Sequence, residues 1–160
     1  MEAATLGLAR VLEILTEKLS HRCMEISMVK KLSSLFPAIE FFVFGNLSSH
    51  IDAVKTCSRN ILSSLAMSLQ RLEDQEEPNS TQWIRDLLSK IVCKPDHVKW
   101  VSFSCVAKVT NHSLVALDIL KEASCKESLS TQLLCVARIF KNSVCITIHQ
   151  QICLKLSNVI

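Results

Sequence analysis

Three residues with metal-binding chemistry share one predicted helix face near the end of the chain. Cys145, His149 and Cys153 are spaced i, i+4 and i+8. Two ligands four residues apart can share a zinc ion, but the third lies about 12 Å along the axis at about 1.5 Å per residue. A tetrahedral site with bonds of about 2.0–2.3 Å cannot span that distance. We therefore interpret these residues as part of a core with His149 at its rim, and predict no metal site.

A catalytic cysteine needs a nearby base, and two pairs offer one. Cys105 with His112 and Cys23 with His21 are the candidates, but neither lies in a recognisable signature. His112 falls in a predicted turn, where it faces water. The acidic residues at 73–77 crowd a solvated loop with nothing apolar to raise a carboxyl pKa. We therefore predict no catalytic residue, no cofactor and a protein that is not an enzyme.

The phenylalanines are concentrated in one short stretch. Four of the six, Phe36, Phe41, Phe42 and Phe44, fall within nine residues. On a helix Phe41 and Phe44 share a face while Phe42 points away, so the helix is apolar nearly all round. Two interpretations stay open: this helix is the centre of the core, or one of its faces binds a partner. The candidate partner-binding residues are Phe41, Phe42 and Phe44.

A basic stripe in the second half could contact phosphates. It consists of Lys90, Lys94, Lys99 and Lys108, with Trp100 as its one aromatic neighbour. Nucleic-acid binding through this stripe is the alternative function. The second half of the chain also has the net positive charge that such binding requires. Residues 1–80 carry 8 Lys and Arg against 10 Asp and Glu, while residues 81–160 carry 10 against 5. Such an asymmetry is also typical of an ordinary solvated face.

The composition predicts an all-α fold. The 160 residues include two glycines, Gly7 and Gly45, and no tyrosine, beside 49% hydrophobic residues. Glycine is required in phosphate-binding loops and in most tight hairpins, so both are disfavoured. The three prolines fall where helical periodicity breaks.

Apolar periodicity and capping residues predict about nine helices. The strongest runs over 49–73, with apolar side chains on one face and Ser49 three residues before Asp52 at its start. Val101 and Val109 bound a segment that also alternates as a strand would, but a lone strand would have no partner, so a helix is preferred. The nine predicted helices span 2–19, 24–35, 37–45, 49–73, 81–93, 96–110, 113–123, 124–141 and 144–156.

Weak internal similarity has a period near 48 residues. The segments 81–84 and 131–134 read TQWI and TQLL, Lys90-Ile91 matches Arg138-Ile139, and Cys57, Cys105 and Cys153 are 48 apart. This pattern resembles the armadillo and HEAT helical repeats, whose units are about 40–47 residues long. The resemblance implies a short stack of helical units, with an irregular helical bundle as the alternative. It implies no activity, because no family signature is matched.

The remaining expectations concern the domain, the compartment and the partner. We predict one domain over 1–160, with any subdomain boundary in the acidic loop 73–80. Eight cysteines in apolar surroundings and the absence of a signal-peptide pattern predict an intracellular protein, cytoplasmic or nuclear, with reduced cysteines. No apolar run is long enough to span a membrane. The mean hydropathy of +0.29 predicts an apolar surface covered by another protein, or by the rest of a longer solenoid of which this chain is a fragment. The predicted function is a non-enzymatic protein–protein interaction scaffold.

Overall fold

A computed structural model of the chain describes residues 1–75 and 83–109, of which 86% are helical and none is in a strand. The all-α class is therefore confirmed for these residues, and the segment 101–109 is helical. Each of the first six predicted helices agrees with an observed one to within three residues at either end. The predicted helices at 113–123, 124–141 and 144–156 lie outside the described residues, so the nine-helix stack stays a prediction. The elements are α1 Glu2–Ser20, α2 Ile26–Leu32, a 3-10 helix Ser33–Leu35, α3 Phe36–Asn46, α4 Asp52–Gln75, α5 Trp83–Val92 and α6 Asp96–Val109.

The chain divides into two compact units, Met1–Ile84 and Arg85–Ile160. The division falls inside α5, whereas α4 continues as helix to Gln75, into the stretch predicted to be a loop. The interpretation of residues 1–160 as a single domain stays a prediction.

Helix α4 is the centre of the first unit. It packs against α1, α2 and α3, because apolar side chains recur along it at helical spacing. Its start is marked by Ser49, whose Oγ accepts a hydrogen bond from the Ile51 backbone N–H at 3.2 Å. Asp52 follows in the first turn, where a carboxylate is favoured by the helix dipole. The residues buried along α4 are Val54, Cys57, Ser58, Ile61, Leu62, Leu65, Ala66, Ser68, Leu69 and Leu72.

Helices α1 and α4 run parallel to each other. Asn60 Nδ2 donates to Glu13 Oε1 at 2.7 Å, and further along both helices Arg71 Nη1 donates to the Leu19 carbonyl at 2.9 Å. These paired residues are 47 and 52 positions apart in the sequence.

Arg71 also holds the turn between α1 and α2. Besides the Leu19 carbonyl, its guanidinium donates to the carbonyls of His21 at 2.7 Å and Met24 at 2.6 Å. The last carbonyls of a helix have no partner within the helix and carry its negative dipole end. One side chain of α4 thus binds the end of α1 and the chain that leads into α2.

The segment 26–46 is one nearly continuous helical path with a 3-10 helix in its middle. Leu32, Ser33 and Leu35 all have right-handed helical dihedral angles, and the Phe36 N–H donates to the Ser33 carbonyl. Pro37 explains the tighter turn, because it has no N–H to donate to the carbonyl four residues earlier and its ring crowds that carbonyl. The prediction of a helix opened by Pro37 is confirmed to within one residue.

In the second unit α5 and α6 each bury one side. Leu87, Leu88 and Ile91 of α5 are buried at helical spacing, as are Phe103 and Val106 of α6. The Pro95 carbonyl accepts the backbone N–H groups of residues 98 and 99, which begins α6. Within 1–75 and 83–109, no helix is long and apolar enough to cross a membrane.

Candidate functional site

The path from α2 to α3 carries large apolar side chains on its solvent side. Phe41 is 85% exposed, Leu35 is 45% exposed and Met28 is 43% exposed. The opposite side of the same path is buried. At about 100° per residue in an α-helix and 120° in a 3-10 helix, the exposed residues fall in one arc of about 120°. We define the outer face as the exposed residues Met28, Lys31, Leu35, Ala38 and Phe41.

The basic and acidic residues of this path differ in exposure. The charged residues of the segment 26–46 are Lys30, Lys31 and Glu40. Both lysines are exposed, whereas Glu40 is only 8% exposed, although it is adjacent to Phe41. The outer face is therefore uncharged along α3 and positive along α2.

Small residues surround the Phe41 side chain on α3. Pro37, Ala38 and Gly45 are all exposed on the same side of the helix. A Cβ atom added at Gly45 would meet nothing within 4 Å, so packing among the chain's own atoms does not require a glycine there. A glycine inside a helix costs about 0.5–1 kcal/mol relative to alanine. On this side of α3 the Phe41 ring thus projects beyond the small residues around it.

The other phenylalanines of α3 are less exposed than Phe41. Phe36 is buried with Ile39 and Val43, while Phe42 and Phe44 are half-buried at the edges of the helix. The helix therefore has both a core side and an exposed side, where the sequence offered these as alternatives. Partner binding by Phe41, Phe42 and Phe44 stays a prediction, and of the three Phe41 is the accessible one.

A second exposed apolar strip lies on α1. Leu8, Val11 and Ile14 are each about half exposed or more, and they lie on a different side of α1 from Ala9 and Thr16, which are buried. We define these three exposed residues as the α1 strip. The first unit thus presents apolar side chains on two separate helices.

The basic stripe of the second unit is not uniformly exposed. Lys90 is exposed and Lys94 half-buried, but Lys99 is 5% exposed and Trp100 8%. Lys99 Nζ lies 3.4 Å from Asp96 Oδ1 and 5.8 Å from the centroid of the Trp100 ring. Such contacts hold a lysine side chain within its own helix. Phosphate contact by Lys90, Lys94, Lys99 and Trp100 stays a prediction, in which the first two are the accessible residues.

The candidate cysteine–histidine pair in the first unit meets through the backbone. His21 Nδ1 accepts a hydrogen bond from the Cys23 backbone N–H at 3.4 Å, so this contact does not activate the thiol. His112, the candidate partner of Cys105, lies outside the described residues. Both His21 and Cys23 line a shallow, open depression of about 430 Å³, together with Ile14, Glu17, Lys18 and Met24.

A buried thiol beside a carboxylate was not identified from the sequence. Cys57 is fully buried and shares a hydrogen bond with Glu13, which also accepts from Asn60 and from Arg10 Nη1 at 2.9 Å. The hydrogen bond from Asn60 is the largest cause that lowers the pKa of Glu13, against partial burial, which raises it. Burial raises the pKa of the Cys57 thiol, and Glu13 raises it further. These effects suppress the thiolate, so this cluster links α1 to α4 and does not provide a nucleophile.

The other described cysteines differ in exposure. Cys23 and Cys93 are exposed, and Cys105 is intermediate. The apolar residues next to Cys93 in the sequence predicted a buried cysteine, and that prediction is wrong for Cys93. Across the residues that the structure describes, no three His, Cys, Asp or Glu side chains are grouped to hold a metal ion, and Cys145, His149 and Cys153 lie outside this part.

No family model matches the chain, and no curated protein and no solved structure matches it either.

Proposed function

We propose that this protein is a non-enzymatic, intracellular scaffold for protein–protein interactions and that the outer face is one of its docking surfaces. The observation that carries the proposal is the 85% exposure of Phe41 on a helix whose adjacent carboxylate, Glu40, is buried. Exposed apolar patches mark interaction sites, and aromatic side chains supply much of the energy at such sites.

The α1 strip supports a scaffold with more than one docking surface. Its residues lie on another helix than those of the outer face, so two partners could bind the first unit at different places. A scaffold requires at least two surfaces, whereas an enzyme requires a site where reactive groups converge. In the described parts of the chain, the Cys57 thiol contacts the Glu13 carboxylate, but this thiol is fully buried.

A stack of armadillo- or HEAT-like helical units is part of the proposal. The parallel packing of α1 and α4, with contacts between residues 47 and 52 positions apart, supports it. Units that repeat along a chain place equivalent helices side by side and parallel. The intracellular compartment is supported by Cys57, which is a free, fully buried cysteine in the core.

Three substitutions test the docking surface. Phe41→Ala should leave the free energy of unfolding within about 0.5 kcal/mol of wild type, because the ring is exposed. The same change should remove bound partners from affinity captures in reducing lysate, since truncating an aromatic anchor costs about 2 kcal/mol or more of binding. Phe36→Ala should instead cost about 3–5 kcal/mol of stability, because that ring is buried.

The matched control is Met67→Ala, which truncates a partly exposed apolar side chain of α4 away from the outer face. It should change neither the set of captured partners nor the stability by much. If captures by the Phe41→Ala and Met67→Ala variants contain the same proteins as the wild type, the outer face is not a docking surface.

A further inference from the structure

We propose that the partner segment that binds the outer face is an amphipathic helix with acidic residues along one edge of its apolar side. This inference rests on the proposed function of the outer face and adds the chemistry of its partner.

The shape of the outer face favours a helix lying along it. Met28 and Phe41 lie thirteen positions apart on a nearly continuous helical path, which at about 1.5 Å per residue spans about 20 Å. Leu35 lies between them, so exposed apolar side chains recur at steps of seven and six residues. An elongated row of this kind matches the i, i+3, i+4 and i+7 anchors of a helix.

The positive charge of the outer face favours a partner helix with acidic residues along one edge. Lys31 lies on the outer face beside Met28, and Lys30 is exposed on the same short helix. The one acidic side chain of the segment 26–46, Glu40, is buried away from this surface. Glu25 is also exposed and precedes α2, and its carboxylate accepts a hydrogen bond from Ser27 Oγ at 3.3 Å. The two lysines therefore leave this end of the path with a net positive charge. A partner with carboxylates opposite Lys31 gains attraction, whereas one with lysines there is repelled.

The local sign differs from that of the surrounding chain. Residues 1–80 carry two more acidic than basic side chains, yet the exposed charges within 26–46 are both positive. A partner selected by the general charge of this region would be basic, and one selected by the outer face would be acidic. The two expectations can therefore be separated by experiment.

The test is a displayed library of helical peptides. Each peptide has leucines at i, i+4, i+7 and i+11, and its flanking positions are randomised among Glu, Lys, Gln and Ser. The library is sorted on the full-length protein, and peptides that also bind the Phe41→Ala variant are removed. We expect the remaining peptides to be enriched in Glu on one edge, with affinity that falls as salt rises.

Charge reversal then locates the acidic edge. Lys31→Glu should weaken the enriched peptides at least about threefold, because an attraction becomes a repulsion. Lys18→Glu is the matched control, since it reverses an exposed lysine of α1 outside the outer face, and it should change their affinity little.

Each remaining outcome overturns one step. Phe41-dependent peptides that are neutral or basic, or that are insensitive to Lys31→Glu, overturn the acidic partner while the docking surface stands. A library without any Phe41-dependent peptide overturns the docking surface itself, and with it the proposed function of the outer face.

Discussion

Substitution of Arg71 should separate the end of α1 from α4. In wild type its guanidinium donates hydrogen bonds to the carbonyls of Leu19, His21 and Met24. Arg71→Ala removes all three at once, while the His21 carbonyl keeps the hydrogen bond that it accepts from the Met24 backbone N–H at 3.0 Å. Because Arg71 is on α4 and the acceptors precede α2, we expect the turn between α1 and α2 to loosen first.

The expected loss of stability follows from the exposure of each bond. A hydrogen bond that involves a charged group contributes about 1.5–3 kcal/mol when it is protected from water, and less when water can replace it. The bonds to Leu19 and Met24 are partly buried, while the bond to His21 is exposed. We assign about 1 kcal/mol to each of the first two and a few tenths to the third. Arg71→Ala should therefore cost about 2–3 kcal/mol, a large share of a typical stability of about 5–15 kcal/mol.

Urea unfolding of the full chain, followed by far-UV circular dichroism, measures this loss. Arg71→Lys keeps the charge but lacks the planar guanidinium that reaches three carbonyls, so it should recover less than half of the stability. Arg59→Ala is the control, because it removes an exposed arginine from the same helix and should cost less than about 0.5 kcal/mol. If Arg71→Ala were no more destabilising than Arg59→Ala, the reasoning would be refuted. Hydrogen exchange should also accelerate at residues 20–25 in the Arg71→Ala variant and not in the Arg59→Ala variant.

Three further predictions concern charge and thiol chemistry. The pKa of Glu13 is lowered on folding, so its contribution to stability is complete above its ordinary value of 4.5 and is lost as the pH falls through the folded value. Wild type should therefore lose more stability than Glu13→Gln between about pH 6 and about pH 3, and equal losses would contradict the assignment. Cys57 should react with a thiol reagent only after unfolding, because it is buried and its pKa is raised, whereas Cys23 should react in native buffer; peptide mass spectrometry distinguishes them. Duplex DNA and RNA should show no salt-sensitive binding; binding that Lys90→Glu with Lys94→Glu abolishes would favour the nucleic-acid alternative.

The helices could be predicted from the sequence because their signals are local. Ser49 and Asp52 mark the start of α4, Pro37 marks the start of α3, and the apolar spacing of α4 defines one buried side. These signals act within a few residues, so they do not depend on the rest of the fold.

The side of α3 that faces the core could not be predicted in the same way. The helix is apolar nearly all round, so periodicity does not distinguish its inner side from its outer side. Packing against α4 selects Phe36 and Val43 for the core and leaves Phe41 exposed. The partners of Arg71 lie 47–52 residues earlier in the chain, and no local pattern indicates a contact at that separation. The burial of Lys99 beside Trp100 is likewise a property of the folded chain that a count of lysines does not contain.

The burial of Glu40 and the exposure of Phe41 both lower the stability of the first unit, at two adjacent positions. Leaving a large apolar side chain exposed forgoes about 1.5–3 kcal/mol that its burial would contribute. Burying Glu40 to 8% exposure adds a desolvation cost that its contacts must offset. Rotating the helix by about 100°, one residue, would exchange the two positions, but it would also turn Phe36, Ile39 and Val43 away from α4. The core of α3 therefore fixes its orientation, and a folding requirement alone would favour a polar residue at 41. A side chain that violates a local rule without a gain inside the fold is expected to act outside it, and this is why Phe41 is the residue on which the proposed function depends.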